Sequence, residues 1–295
     1  MNRIIRTIGL VLLLALLAGC TTRLAYNNLD WLAVRWAERE VELDRDQRAQ
    51  LRDQINEQQL WHCATQLADY QAWTEQLWLD LLSDRLDRQR LIEHGEQLAE
   101  FGRTLAERIA PLLVELATSL DDDQVAAIML ALDERIDQLQ DEIESRSDQQ
   151  WVIDRTEGME RRLRRLMGPT NPAQRARLER WARALEPTHQ HQLNQRLYWR
   201  ERIAEALARR DEREFLQDEI NALLDPAAAW PEGYRQAIEA NRELTLDALA
   251  DLVRLTEPDQ RGRISARLAR LKNDFERLSC EGEAPPALLA AAGSD

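Results

Sequence analysis

The sequence predicts an all-α protein, an elongated antiparallel bundle of long helices behind an N-terminal leader. Three observations carry this. Apolar residues recur every third or fourth position, as in Leu60, Ala64, Leu67, Tyr70, Trp73, Leu77 and Leu81, which stacks them into one stripe on a helix. Period-two runs rich in Val, Ile and Thr, the mark of strands, are missing. Gly and Pro number only 10 and 9 in 295 residues, and several of them sit where the stripes break.

The elements can be justified in chain order. Helices are expected at 24–40, 44–82, 87–118, 121–167, 172–185, 188–209, 211–224, 232–255 and 258–279. Asp44, Asp121 and Asn171 each stand three residues before a glutamine, Gln47, Gln124 and Gln174. That spacing lets the two side chains satisfy orphan N–H groups in both directions, as in a capping box. Pro172 falls at the first helical position, where its missing donor costs nothing. Pro258 lies in a first turn beside Glu257 and Asp259, acids that suit the positive end of a helix. Stops are read near Ser83, Gly168-Pro169, Glu186-Pro187, Asp225-Pro226 and Gly282. Two segments, 44–82 and 121–167, would span roughly 60–70 Å each at 1.5 Å per residue. Because most breaks are short, successive helices are expected to pack antiparallel. Residues 283–295 carry no charged periodicity and read as a frayed, disordered tail.

Residues 1–19 read as a signal peptide. Arg3 and Arg6 precede an apolar run from Ile8 to Leu17, ten residues and too short to remain as a spanning helix. Leu17, Ala18, Gly19 and Cys20 then follow in register. This resembles the bacterial lipobox, and the resemblance implies cleavage before Cys20 and lipidation of that residue. Thr21 rather than Asp after the cysteine points to the periplasmic face of the outer membrane. Residues 20–282 would form one helical periplasmic domain. The competing reading is an ordinary cleavable signal that contains a cysteine.

Composition excludes several functions. The chain has 39 basic and 53 acidic residues, net −14, which argues against nucleic-acid partners, whose affinity rests on phosphate neutralisation. Apolar content of 44% is too high for global disorder. Besides Cys20, only Cys63 and Cys280 remain. In an oxidising compartment an even pair is expected to form a disulfide, the alternative being two buried free thiols.

Chemistry-bearing motifs are sparse. His62, His94, His189 and His191 lack metal-ligand spacing, and no phosphate-cradling Gly loop or nucleophile elbow is present. No metal, cofactor or catalytic residue is therefore expected. Nine tryptophans are expected mainly in the core. Trp31 and Trp36, close behind Cys20, also suit the headgroup level of a membrane. Arg161, Arg162, Arg164 and Arg165 form a cluster. It reads either as cations at a helix C-terminus paired with nearby acids, or as a patch for an anionic partner.

Leu43 to Gln47, Leu120 to Gln124 and Leu255 to Gln260 make a weak internal repeat at unequal separations. It reads first as recurring capping chemistry, and second as similar to the Leu-Thr-x-x-Gln element of small periplasmic stress chaperones, although the Thr occurs only at Thr256. A longer resemblance rests on Leu24 to Leu32, Leu43 to Gln47, Trp61-His62-Cys63, Arg161 to Leu166, Gln174 to Ala182, Tyr234 to Arg242 and Cys280. In this order they resemble an uncharacterised proteobacterial lipoprotein family, a domain of unknown function of the DUF6279 type. The resemblance implies a lipoprotein and an all-α fold, and no activity. The expected function is a non-catalytic scaffold or adaptor, held to the membrane through Cys20 and binding an envelope protein or wall component. The alternative is a holdase-type chaperone or envelope-stress factor.

Overall fold

The computed structural model describes residues 25–278. The leader, Cys20, Cys280 and the tail lie outside them. The described residues form eleven α-helices and one 3-10 turn, with no strand among them. After a helical turn at 25–27, the helices are α1 (Leu29–Ala37), α2 (Arg45–Thr65), α3 (Leu67–Leu82), α4 (Arg88–Ser119), α5 (Asp122–Ser145) and α6 (Asp148–Met167). They continue with α7 (Pro172–Ala184), α8 (His189–Ala208), α9 (Arg213–Leu224), α10 (Glu232–Arg254) and α11 (Pro258–Arg277).

Two expected long helices are each divided. The 44–82 segment breaks at Gln66, where φ reaches −109° and the chain restarts as α3. Thr65 and Gln66 hydrogen-bond each other there, a local competition with the helical ladder that such side chains favour. The 121–167 segment breaks at Arg146 and Ser147, both extended. The Ser147 hydroxyl accepts from the Gln150 N–H and starts α6 afresh. The halves therefore run roughly 24–36 Å, not 60–70 Å. By contrast α4 is continuous through Pro111 over 32 residues.

The expectation that successive helices pack on one another holds only in part. The densest packing joins α3 to α11; the consecutive pairs α1–α2 and α6–α7 pack about as closely as the distant pairs α4–α9 and α5–α8, while α4–α5, α5–α6, α7–α8, α9–α10 and α10–α11 make little contact. Further long-range joints come from the capping boxes. Asp44/Gln47, Asp121/Gln124 and Asn171/Gln174 all form as expected, and Glu257/Gln260 makes a fourth. The four glutamines then dock in two buried pairs. Gln47 and Gln124 exchange amide hydrogen bonds at 2.9 and 2.7 Å. Gln174 and Gln260 do so at 2.8 and 3.0 Å. Each spare Nε2 hydrogen is donated to a backbone carbonyl five residues before the partner glutamine: Ser119, Glu42, Leu255 and Pro169. Each Oε1 also accepts the N–H of its own N-cap residue. Every donor and acceptor of these amides is thereby used, the condition for polar groups to be buried without penalty.

The apolar core is correspondingly divided. One cluster joins α1, α2 and α4 around Leu43, Leu51 and Leu112. Another joins α6, α7 and α10 around Met167, Leu178 and Leu252. Cys63, Leu67, Leu271 and Phe275 tie α2 and α3 to α11. Smaller clusters join α4, α8 and α9, and α5 to α8. Gly168 ends α6 at φ 88°, a backbone conformation that strains any residue with a Cβ, so glycine is required at this turn.

The Gln174→Leu variant should lose about 2 kcal/mol of stability, because it strands the Asn171 N–H and removes one donor and one acceptor from the Gln260 amide. Urea unfolding should show a lower midpoint, and adding Gln260→Leu should cost less than a second full loss. A change under about 0.5 kcal/mol would mean the joint contributes nothing beyond an ordinary surface site.

Candidate functional site

The divided core leaves a half-open central cleft of about 1470 Å³, bordered by ten of the eleven helices. One wall is aromatic. Tyr70 and Phe101 lie 4.5 Å apart between centroids, Tyr70 meets Phe275 edge-on at 5.9 Å, and Trp73 meets Phe101 at 6.4 Å. His62 packs on Tyr70 at 5.3 Å, and its Nδ1 lies 3.1 Å from the Tyr26 hydroxyl. Burial pushes the His62 pKa down to about 4 and the Tyr70 hydroxyl up to about 12. Trp73 keeps a buried Nε1 with no hydrogen-bond partner.

Behind this wall Asp80 is fully buried and anchors the turn between α3 and α4. Burial alone would raise its pKa, but bonds from Arg90 at 2.6 Å and His94 at 3.0 Å outweigh that and hold it low. His94 stands edge-on to Trp73 at 6.0 Å, so the carboxylate indirectly positions the indole.

The opposite wall, from α5, α6 and α8, is rich in arginine. The cleft lining holds seven arginines and three acids, an excess of four in a chain of net −14. Several are already paired: Arg135 with Glu40, Arg146 with Glu142 and Asp154, Arg161 with Glu157, and Arg200 with Asp133. Arg155 and Arg162 have no carboxylate within 4 Å among the described residues. Burial lowers the pKa of Arg155, with Asp148 acting only at longer range. Beside it His189 stacks on Trp151 at 5.0 Å with an interplanar angle of 7°, and the Arg146 guanidinium lies 5.1 Å from the centre of the same indole. The His189 Nδ1 is buried without a partner. Desolvation and then the Arg155 charge lower the His189 pKa.

The predicted residues are dispersed around this cleft. Arg161 and Arg162 line it, whereas Arg164 pairs with Glu160 and, like Arg165, faces away from it. Cys63 is disulfide-bonded, with its Sγ 3.5 Å from the Leu278 carbonyl oxygen, at the end of the described chain. Lipidation at Cys20 falls outside the described residues, as does Cys280. His189 and His191 diverge onto Trp151 and Tyr234. Among the described residues no cluster of His, Cys, Asp and Glu is placed to hold a metal. Trp31 and Trp36 are about half exposed, and Trp36 borders the cleft. Five of the nine tryptophans line it, so the indoles expected in a solid core edge a hollow one.

Sequence reasoning did not single out Gly95, Gly102 and Arg155. Gly95, Leu98, Gly102 and Leu105 share one face of α4, all on the cleft. The available signal was two glycines seven residues apart and in phase with the apolar stripe.

Burial of His62 has a pH consequence. Its folded pKa of about 4 lies below the ordinary 6.5, so between those values the unfolded chain binds the extra proton. Stability is complete above pH 6.5 and falls by about 3 kcal/mol as pH drops to 4. His189 adds to the loss in the same direction. Urea unfolding at pH 7 and pH 4.5 should show this slope, and His62→Gln should remove most of it. An unchanged slope in that variant would exclude His62 as its source.

No curated protein and no solved structure matches the chain. The model of a family described as "Family of unknown function (DUF6279)" matches residues 39–235, about two thirds of the sequence. The match runs from the turn after α1 into α10, taking in three of the four capping glutamines and most of the cleft walls. The chain therefore belongs to DUF6279, a family of unknown function.

Proposed function

We propose that this protein is a lipid-anchored, non-catalytic binding protein of the bacterial envelope. It is a helical scaffold or adaptor on the periplasmic face of the outer membrane, and its binding element is the central cleft. The observation that carries this reading is the cleft itself. Ten helices are arranged around about 1470 Å³ that their side chains leave unfilled, where protein interiors otherwise pack to crystal-like density. The site offers aromatic surface and guanidinium groups in quantity, the composition of a recognition surface.

Attachment rests on the Leu17-Ala18-Gly19-Cys20 leader. Among the described residues no helix is long and apolar enough to cross a membrane, so the reading assigns attachment to acyl chains on Cys20. The helix α1 supports it. Leu29, Leu32 and Trp36 fall on one face of α1 and are 38%, 38% and 51% exposed, the profile of a helix face lying in an interface. The Cys20→Ser protein should lose labelled palmitate and leave the membrane fraction. If it still sediments with outer membrane and still takes up label, the anchor assignment is wrong.

Within the same reading, Cys63 pairs with Cys280. Such a bond closes the chain end onto α2 and α3, where α11 already packs. Closing 217 residues stabilises by roughly 5 kcal/mol in the chain-entropy model. Cys63→Ala and Cys280→Ala should lower the melting temperature equally, and reduction of the wild type should match them. Unequal losses, or no response to reductant, would refute the pairing.

A holdase role is the second reading. Large apolar side chains are exposed outside α1 as well, including Leu82 at 57% and Leu130 at 62%. Suppression of client aggregation at stoichiometric amounts of the Cys20→Ser chain would favour it.

A further inference from the structure

We propose that the central cleft binds an acyl lipid with an anionic headgroup, the headgroup at Arg155 and Arg162 and the hydrocarbon chain along the Gly95–Leu105 face of α4. This deepens the binding-protein reading and rests on it.

Charge gives the headgroup end. Trp151, Arg155, Gly158 and Arg162 share one face of α6, and all four line the cleft. Arg155 and Arg162 are its two arginines with no ion pair and no hydrogen bond to a neighbour. Arg155 is half-buried, with Asp148 acting on it only at longer range; a guanidinium so placed is costly to hold and an anion seated there relieves it, while the exposed Arg162 adds charge at the rim. Guanidinium is also the group that grips carboxylate and phosphate bidentately. The orphaned Nδ1 of His189, on the ring stacked on Trp151, supplies a further polar contact beside Arg155.

The other end follows from glycine. Glycine inside a helix costs about 1 kcal/mol relative to alanine, and packing does not require it at Gly95 or Gly102. A Cβ at either would meet nothing within 4 Å. Both border the cleft, so what they provide is width. Gly95, Leu98, Gly102 and Leu105 form a shallow apolar track, with Phe101 and Trp73 beside it. The α4 and α6 faces line the same cleft without packing on each other. A ligand apolar along one side and anionic on the other fits both. At about 1470 Å³ the cleft exceeds the 300–1,000 Å³ range, roughly, of drug-sized pockets, which suits a long acyl chain better than a small anion.

The test titrates the mature chain, residues 20–295 with Cys20→Ser, with oleate and with oleoyl lysophosphatidylglycerol, reading tryptophan fluorescence and calorimetry. At least one should bind at one per chain. Oleyl alcohol should bind about tenfold more weakly or worse, and butyrate and inorganic phosphate should not bind. Arg155→Gln should weaken binding about tenfold. Arg165→Gln, from the same sequence cluster but outside the cleft, should leave it unchanged. Gly102→Leu should abolish binding with helix content and melting temperature retained, and Gly95→Leu provides the same block at a second position. Failure of both lipids to bind, binding unaffected by Arg155→Gln and both glycine variants, or binding of phosphate alone would each overturn the proposal. If the lipids fail while an envelope protein is captured by wild type and lost in Gly102→Leu, the lipid assignment falls and the adaptor reading stands. If neither lipid nor cleft-dependent capture is seen, both fall.

Discussion

A primary amide is the one side-chain group that can pair with a copy of itself, donor to acceptor on both sides, and still have one hydrogen and one lone pair left over. This protein uses that property twice. Gln47 with Gln124, and Gln174 with Gln260, each complete a capping box with the spare lone pair and reach across to a backbone carbonyl with the spare hydrogen. A capping box ordinarily starts a helix locally. Here the same glutamine that starts one helix also clamps the start of another, 77 or 86 residues away. Both joints follow one plan, down to the carbonyl five residues before each partner.

The rest of the architecture depends on those clamps. A chain of short-looped helices would by default fold each onto the next. Two polar joints at helix starts also bring α2 to α5 and α7 to α11, and the densest packing, α3 on α11, joins helices distant in sequence, beside the close consecutive pairs α1–α2 and α6–α7. Helices held in this way surround a space, and the apolar residues gather into five clusters around it rather than one. The joints are also specific. An amide pair with all its partners used tolerates no register shift, whereas a leucine stripe tolerates several, and buried polar groups in other systems serve that same discriminating role.

How much of this was legible beforehand differs by level. The helical class was written in the stripes, and Asp44, Asp121 and Asn171 marked helix starts correctly because capping is local chemistry. The recurrence of a glutamine after each cap was visible too, yet its pairing was not, because nothing local says which buried amide meets which. The breaks at Gln66 and Arg146 were missed for a related reason. Neither has a Gly or Pro. At Gln66 the apolar period runs straight through and only hydrogen-bond competition at Thr65 ends the helix; at Arg146 the period lapses over the polar run 144–150, and Ser147 three residues before Gln150 was a start signal that went unread. The arginine cluster at 161–165 drew notice as a run of charge. Helical geometry sends Arg161 and Arg162 toward the cleft and Arg164 and Arg165 away from it, and the more consequential cation, Arg155, stood outside the run.

The choice of cation is almost uniform along this chain, and its consequence is felt in the cleft. Lys272 is the single lysine among 39 basic residues, and it lies on α11 pairing with Glu75. Every cation bordering the cleft is arginine. On an outer helix face the two are nearly equivalent, since exposed ion pairs contribute little either way. Inside a cleft walled by tryptophan they are not. A guanidinium is less strongly hydrated than an ammonium, stacks on indole as Arg146 does on Trp151, and keeps its fork of donors in one plane while doing so. That lets positive charge be retained against an aromatic wall, and retained in excess, in a molecule that is otherwise strongly acidic. The glycines of α4 complete the logic from the other side. Gly95 and Gly102 lower the stability of the helix that carries them and leave room no neighbour fills. A fold that keeps both an unpaired guanidinium and an unfilled track in one cleft holds two local costs in the same place, the pattern by which binding sites depart from the packing rules obeyed elsewhere in a protein.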